Sequence, residues 1–150
     1  MMMILLFQLA GCLSLTAQGI EDLSFGTETT LEIMTWNIEH FPKNQLTVNY
    51  LANIITTLNV DILALQEIES LDSLNSLKER LGDYWLAYRS LGSSNYGQLA
   101  YLIDTTFVKP LVSNPHIILN SSDEYNFAYR LPFVLQFSFN EIPFTIFRNL

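Results

Sequence analysis

Cysteine is almost missing: Cys12 is the only one in 150 residues. With no second thiol to pair with, the chain cannot form an internal disulfide. Basic side chains are also scarce, seven Lys and Arg against fifteen Asp and Glu, for a formal net charge of -8 and a pI near 4.5. That balance excludes a protein that holds nucleic acid on a broad basic surface, because such binding runs on cations that neutralise phosphates. Any phosphate ligand would need a local cation or a metal ion. Low-complexity tracts and internal repeats are absent too. What the chain has is 49% hydrophobic and 13% aromatic residues with only 15% charged, the composition of one compact domain rather than a disordered segment.

Met1 to Ala17 carries no charged side chain and is apolar except at Gln8, Ser14 and Thr16. It is shorter than the ~20 apolar residues a spanning helix needs and reads as a secretory signal, although its start lacks the usual Lys or Arg. Leu9-Ala10-Gly11-Cys12 resembles the lipobox of bacterial lipoproteins, in which the cysteine is lipidated and attaches the protein to a membrane. The alternative is cleavage after Leu15-Thr16-Ala17. Either route implies export, to the cell envelope as a lipoprotein or to the periplasm or medium. Residues 18–30, with Gly19 and Gly26, suit a tether, so the domain is expected over 31–150.

Leu31 to Asn37 is β-compatible and is followed by the breaker Pro42, which predicts a strand. Then the period changes: Leu46, Tyr50, Leu51, Ile54, Ile55 and Leu58 recur on one helical stripe, which Asn59 can close in a left-handed conformation. Ile62 to Leu65 is a continuous apolar run, the pattern of a strand buried on both faces. Strand, helix and buried strand predict a right-handed parallel crossover. A second helix follows, capped by Ser70, with Leu71, Leu74, Leu77 and Leu81 on one face and Gly82 at its end. Short strands come next, over 84–89, 98–103, 107–112, 117–119, 132–139 and 144–147, separated by turn residues such as Gly92-Ser93-Ser94-Asn95 and Asn120-Ser121-Ser122-Asp123. The fold class is α/β, a sheet-rich sandwich. The last apolar strand has no polar tail or capping helix after it, so a truncated domain is expected.

In a parallel crossover both strands point the same way, so Asn37 and Glu67 should fall side by side at the carboxyl edge of the sheet, where open α/β sheets place ligands. Glu39 and Glu69 each lie two residues further on and could join them. Carboxylates are the natural ligands of Mg2+, and a bound cation would reverse the repulsion between an acidic cluster and a phosphate. Singly, these residues have ordinary explanations. Asn37 could be a loop residue, Glu67 a helix-start acid, Glu39 and Glu69 solvated charges, and His40 a loop residue. Tyr96, Tyr101 and Tyr129 read as core aromatics.

Taken together, Leu31-Glu32-Ile33-Met34-Thr35-Trp36-Asn37-Ile38-Glu39 and Asp61-Ile62-Leu63-Ala64-Leu65-Gln66-Glu67 resemble the first two motifs of the endonuclease/exonuclease/phosphatase (DNase I-like) superfamily. The Trp36-to-Pro42 stretch is similar to exported bacterial members. Asn95 to Asp104 resembles the family's central strand, and Tyr129-Arg130-Leu131-Pro132-Phe133 its Arg-x-Pro segment.

The resemblance implies the N-terminal part of a DNase I-like α/β sandwich, two sheets flanked by helices. It assigns Asn37 and Glu67 to the catalytic site, Glu67 and Glu39 to a divalent metal, and Asn37 and Arg130 to substrate phosphate. The implied cofactor is Mg2+, with Mn2+ or Ca2+ as alternatives. The implied activity is phosphoester hydrolysis, nucleic acid being the favoured substrate and phospholipids or inositol phosphates the alternatives; no protein partner is implied. The family completes its site with a His after the strand that begins near Phe144, then a Gly-Asp-x-Asn segment and an Asp-His pair; the two histidines here, His40 and His116, match none of these positions, and neither segment occurs in these 150 residues. A catalytically silent fragment or binding module is therefore the competing reading.

Overall fold

A computed structural model describes residues 19, 23, 24, 26–91, 97–111 and 115–148. The leader reading, Cys12 included, lies outside the described residues, as do Gly92 to Asn95, Tyr96 and Asn114. Among the described residues no helix is long and apolar enough to cross a membrane.

Strand β1 (Ile33–Phe41) is followed by helix α1 (Gln45–Leu58), strand β2 (Ile62–Ile68) and helix α2 (Leu71–Leu81). The helix boundaries follow from side chains that satisfy free backbone groups. Asn44 begins α1 with a capping box: its Oδ1 accepts the Leu46 N–H at 2.9 Å, while Thr47 Oγ1 accepts the Asn44 N–H at 3.2 Å. Asn59 ends it at φ 54°, as the sequence predicts. Ser70 Oγ accepts the Ser73 N–H at 3.1 Å at the start of α2, and Gly82, at φ 111°, closes it. The buried stripe of α1 is rotated from the predicted one. Val48, Leu51, Ala52, Ile55 and Leu58 face the core, whereas Leu46 and Tyr50 are exposed.

Strands β3 (Trp85–Arg89) and β4 (Ala100–Asp104) complete a first sheet of order β1-β2-β4-β3. β1 and β2 run parallel, as a crossover through α1 requires, and the other pairs are antiparallel. A second sheet holds β5 (Val108–Pro110), β6 (His116–Ile117), β7 (Phe133–Phe139) and β8 (Ile142–Arg148). β8 pairs with the whole of β7, so β5 and β6 share the opposite edge of β7. A 3-10 helix, Ser121–Phe127, fills a stretch that the sequence reading treats as a turn and connection.

Successive residues of a strand point to opposite faces. On β2, Leu63 and Leu65 join the helix-side core with Leu51, Ile55, Leu74 and Leu77, while Ile62 and Ala64 join the inter-sheet core. β4 divides likewise, Ala100 and Leu102 to the helices, Tyr101 and Ile103 to the second sheet. Phe133, Leu135, Phe137 and Phe139 supply the facing surface of β7. At about 1.5–3 kcal/mol for each large apolar side chain removed from water, β2 is gripped from both sides. The predicted doubly buried strand is borne out, and it leads straight into Glu67.

Candidate active site

The register of β1 on β2 is regular from Ile33↔Ile62 to Asn37↔Gln66 and then breaks before Phe41↔Ile68. Four steps along β1 oppose two along β2, so the extra chain must bulge. Glu39, His40 and Glu67 take up that mismatch with φ of 36°, 53° and 59°. Left-handed backbone at non-glycine residues costs about 1–3 kcal/mol each and gathers where function demands it. Three such residues meet here.

The bulge brings Asn37 to Glu67. Asn37 Nδ2 donates to Glu67 Oε1 at 3.0 Å, and the His40 backbone N–H donates to Glu67 Oε2 at 3.3 Å. Asn37 Oδ1 in turn accepts the Glu39 N–H at 2.9 Å, which settles which way the amide faces. Both oxygens of Glu67 are thus oriented. The Asn37 amide, first of all, holds the Glu67 carboxyl below the usual carboxylate range; the His40 N–H and the positive charges of His40 and Arg130 help, against the opposing pull of partial burial. Glu67 is therefore ionised near neutral pH.

Arg130 sits close enough for Glu67 to feel its charge. Its Nε donates to the Gly97 carbonyl at 3.1 Å. Gly97 has no alternative: at φ +65° a Cβ there would meet Arg130 Nε and Nη2 at 2.5 Å. Asn37 and Glu67 thus meet at one end of the first sheet, as the crossover predicts, and the charge of Arg130 reaches Glu67 there. Glu39 is not brought in with them. Its side chain, 71% exposed, turns to Lys43 Nζ at 3.6 Å. The reason is the bulge, since residues two apart share a face only on a regular strand. Among the described residues no group of three His, Cys, Asp or Glu is arranged to enclose a metal ion.

Three residues have a place here that sequence reasoning missed. His40, read as a loop residue, is bonded through Nδ1 to Glu69, read as a surface charge. That bond, followed by the Glu69 charge, pushes the His40 pKa up from its ordinary value. Arg89 of β3 donates from Nε to the Ile68 carbonyl at 2.8 Å and from Nη2 to the Glu69 carbonyl at 3.3 Å. No short-range pattern announces Arg89. Tyr129 also departs from expectation: it is exposed, at φ 62°, and meets Tyr125 edge-on at 6.3 Å. Tyr101 is in the core as expected.

No curated protein matches the chain. Solved structures do, and they bear out the two-sheet fold. The chain is similar to a humanized D. rerio TDP2 (20% identity, TM-score 0.62, covering 78% of this chain and 45% of that one). It is similar also to D. rerio TDP2 complexed with a single-strand DNA product (18%, 0.61, 78% and 44%) and to truncated Caenorhabditis elegans TDP2 (23%, 0.58, 79% and 45%). It spans less than half the length of each of these. The model of the Endonuclease/Exonuclease/phosphatase family matches residues 34–143. That range runs from β1 into β8 and takes in Asn37, Glu67 and Arg130, and the protein accordingly belongs to the Endonuclease/Exonuclease/phosphatase family.

Proposed function

We propose that the protein takes part in metal-dependent hydrolysis of a phosphodiester, nucleic acid being the substrate class best supported. The observation that carries this reading is the Glu67 carboxylate, ionised and held by Asn37 on one oxygen and the His40 N–H on the other. A half-buried, pre-oriented carboxylate suits Mg2+, which takes one or two carboxylates and fills its shell with water and phosphate oxygens. A closed cage of protein ligands is not required for that ion. When bound, such a cation would polarise a phosphoryl oxygen and lower the pKa of an attacking water.

The chain's own residues do the rest. Glu67 holds the cation, and Asn37 keeps Glu67 aimed while offering its second amide hydrogen to phosphate. Arg130, anchored through Nε, presents the remaining edge of its guanidinium fork to a phosphate oxygen. Glu39, facing Lys43, acts on a cation only if it turns back. Nucleic acid is favoured because one structural neighbour holds a single-strand DNA product. The acidic composition supports recognition of a few phosphates at the site rather than a long duplex track.

A second reading has its own observation. Among the described residues the two histidines are His40, engaged by Glu69, and His116, in the second sheet, which favours a module that binds a phosphate ester without turning it over. Incubating the full chain with labelled single-strand and duplex oligonucleotides, with Mg2+ or with EDTA, separates the two. Cleavage that EDTA abolishes and Glu67→Gln reduces by about 100-fold or more supports hydrolysis; saturable binding without product supports the module. Neither product nor binding, on nucleic acid or on phospholipid and inositol phosphate controls, refutes both. For the leader we propose export with lipidation of Cys12; Cys12→Ser should then release the protein from membranes, and unchanged fractionation refutes it.

A further inference from the structure

We infer that Arg89, Glu69 and His40 form a brace, separate from Asn37, that fixes the second oxygen of Glu67 and so sets the affinity of the site for its cation. The inference rests on the functional reading above and deepens it: these are positioning residues that act through Glu67.

The path is continuous. Arg89 reaches from β3 across the end of the sheet and takes the carbonyls of Ile68 and Glu69, the two residues that follow Glu67. The backbone of Glu69 is held from the other side, its N–H donating to the Phe41 carbonyl at 3.0 Å, and Ile68 N–H donates to the Gln98 carbonyl at 2.9 Å. With its main chain pinned, the Glu69 side chain, 29% exposed, points to His40 and accepts from Nδ1. A carboxylate can only accept here, so Nδ1 carries the hydrogen. The ring is thereby tied down in a residue whose backbone is at φ 53°, and the backbone N–H of that residue is the donor to Glu67 Oε2. Each link leads back to the carboxylate.

The brace has a use because the local backbone is strained. Glu39, His40 and Glu67 all occupy left-handed conformations, which would relax if nothing held them. Asn37 secures Oε1 alone. Without Glu69 the His40 N–H is free to turn away and Oε2 loses its donor. Outer partners of a metal ligand commonly change cation affinity by about 10–100-fold when removed.

The test is Mn2+ binding to the full chain, followed by electron paramagnetic resonance of the free ion and independent of turnover. His40→Ala and Glu69→Ala should each weaken Mn2+ about 10-fold. The double variant should be no weaker than either single, because both cut one path. His40→Asn, whose amide can still reach Glu69, should recover most of the loss. Arg89→Met should weaken Mn2+ as well. Thermal melting is recorded for every variant, because a merely structural role would lower the melting temperature and leave affinity unchanged in protein still folded. Should an alanine variant not fold, the isosteric Glu69→Gln decides, with Mn2+ weakened about 3-fold or more expected. Mn2+ affinity that depends on Glu67→Gln yet is indifferent to His40, Glu69 and Arg89 overturns the brace. Wild-type protein that binds no Mn2+, or binds it indifferently to Glu67→Gln, instead overturns the metal-site reading and the brace with it.

Discussion

The Asn37 side-chain amide donates to Glu67 Oε1 at 3.0 Å, a contact between residues thirty apart in sequence that exists because two parallel strands end side by side. Asn37 is bound at both ends, to Glu67 through nitrogen and to the Glu39 N–H through oxygen. Asn37→Asp keeps the acceptor and loses the donor, leaving two carboxylates facing each other. On the proposed function, kcat/KM for an oligonucleotide falls about 10–100-fold and Glu67 is no longer held down. A variant as active as wild type would remove Asn37 from the site.

At the far end of the first sheet Asp61 Oδ2 accepts the Glu32 N–H at 2.8 Å, and burial pushes the Asp61 carboxyl up to about 6 from 3.8. The folded protein then holds a proton that the unfolded chain has already released. Stability from this group is full below about pH 4 and is lost as pH rises through about 6. Asp61→Asn keeps an acceptor for the Glu32 N–H and removes the penalty. The variant should be more stable than wild type at pH 7 by about 1–2 kcal/mol and lose that advantage near pH 4, as read by urea unfolding across the range.

Gly97→Ala tests the seat of Arg130. The new methyl would meet the guanidinium at 2.5 Å, and φ +65° disfavours any L side chain. Destabilisation of about 1–2 kcal/mol is expected from the backbone alone, with, on the proposed function, a further loss of oligonucleotide affinity as Arg130 moves. Arg130→Ala alongside Gly97→Ala should restore room and recover part of the stability but none of the affinity. Denaturant unfolding and fluorescence anisotropy report the two effects separately.

The Tyr101 hydroxyl crosses the inter-sheet core to donate to the Phe133 carbonyl at 2.9 Å, and their rings stack at 5.3 Å. Burial drives the phenol pKa upward, so it stays a donor at any working pH. Tyr101→Phe keeps the ring contact and strips one partner from the carbonyl. A loss of about 0.5–1.5 kcal/mol is expected, against about 3–5 kcal/mol for Tyr101→Ala, by analogy with truncating a core aromatic.

Period and capping made the first half of the fold readable from sequence. Leu63 and Leu65 against Ile62 and Ala64 could be read as one buried run because β2 has no solvent face, and Asn59, Ser70 and Gly82 end or begin helices by local chemistry. Asn37 and Glu67 followed from the crossover and the motifs. Glu39 did not, because the strand continues past Asn37 to Phe41 through a bulge that no local pattern announces, and the bulge turns that side chain to Lys43. Arg89 was invisible for another reason. Its hydrogen bonds join residues 20 and 21 apart across an antiparallel neighbour, a relation set by tertiary register rather than by spacing. The 3-10 helix was missed because Asn120, Ser121, Ser122 and Asp123 carry the same side-chain chemistry in a turn as at a helix start.

The division of β2 between two cores bears on how such a protein could be retargeted. A strand with no free face leaves its side chains no latitude, so inherited or engineered change at Ile62, Leu63 or Leu65 is paid in folding before it is felt in chemistry. Positions just beyond the strand ends carry no such double duty. On the proposed function, diversity in what the site accepts should therefore accumulate at the bulged end of β1, in the segment after it and in the segment before β7, where side chains such as Glu39, Lys43 and Tyr129 already stand in solvent. Libraries aimed at new substrates belong there, on a scaffold that holds Glu67 still while its surroundings vary.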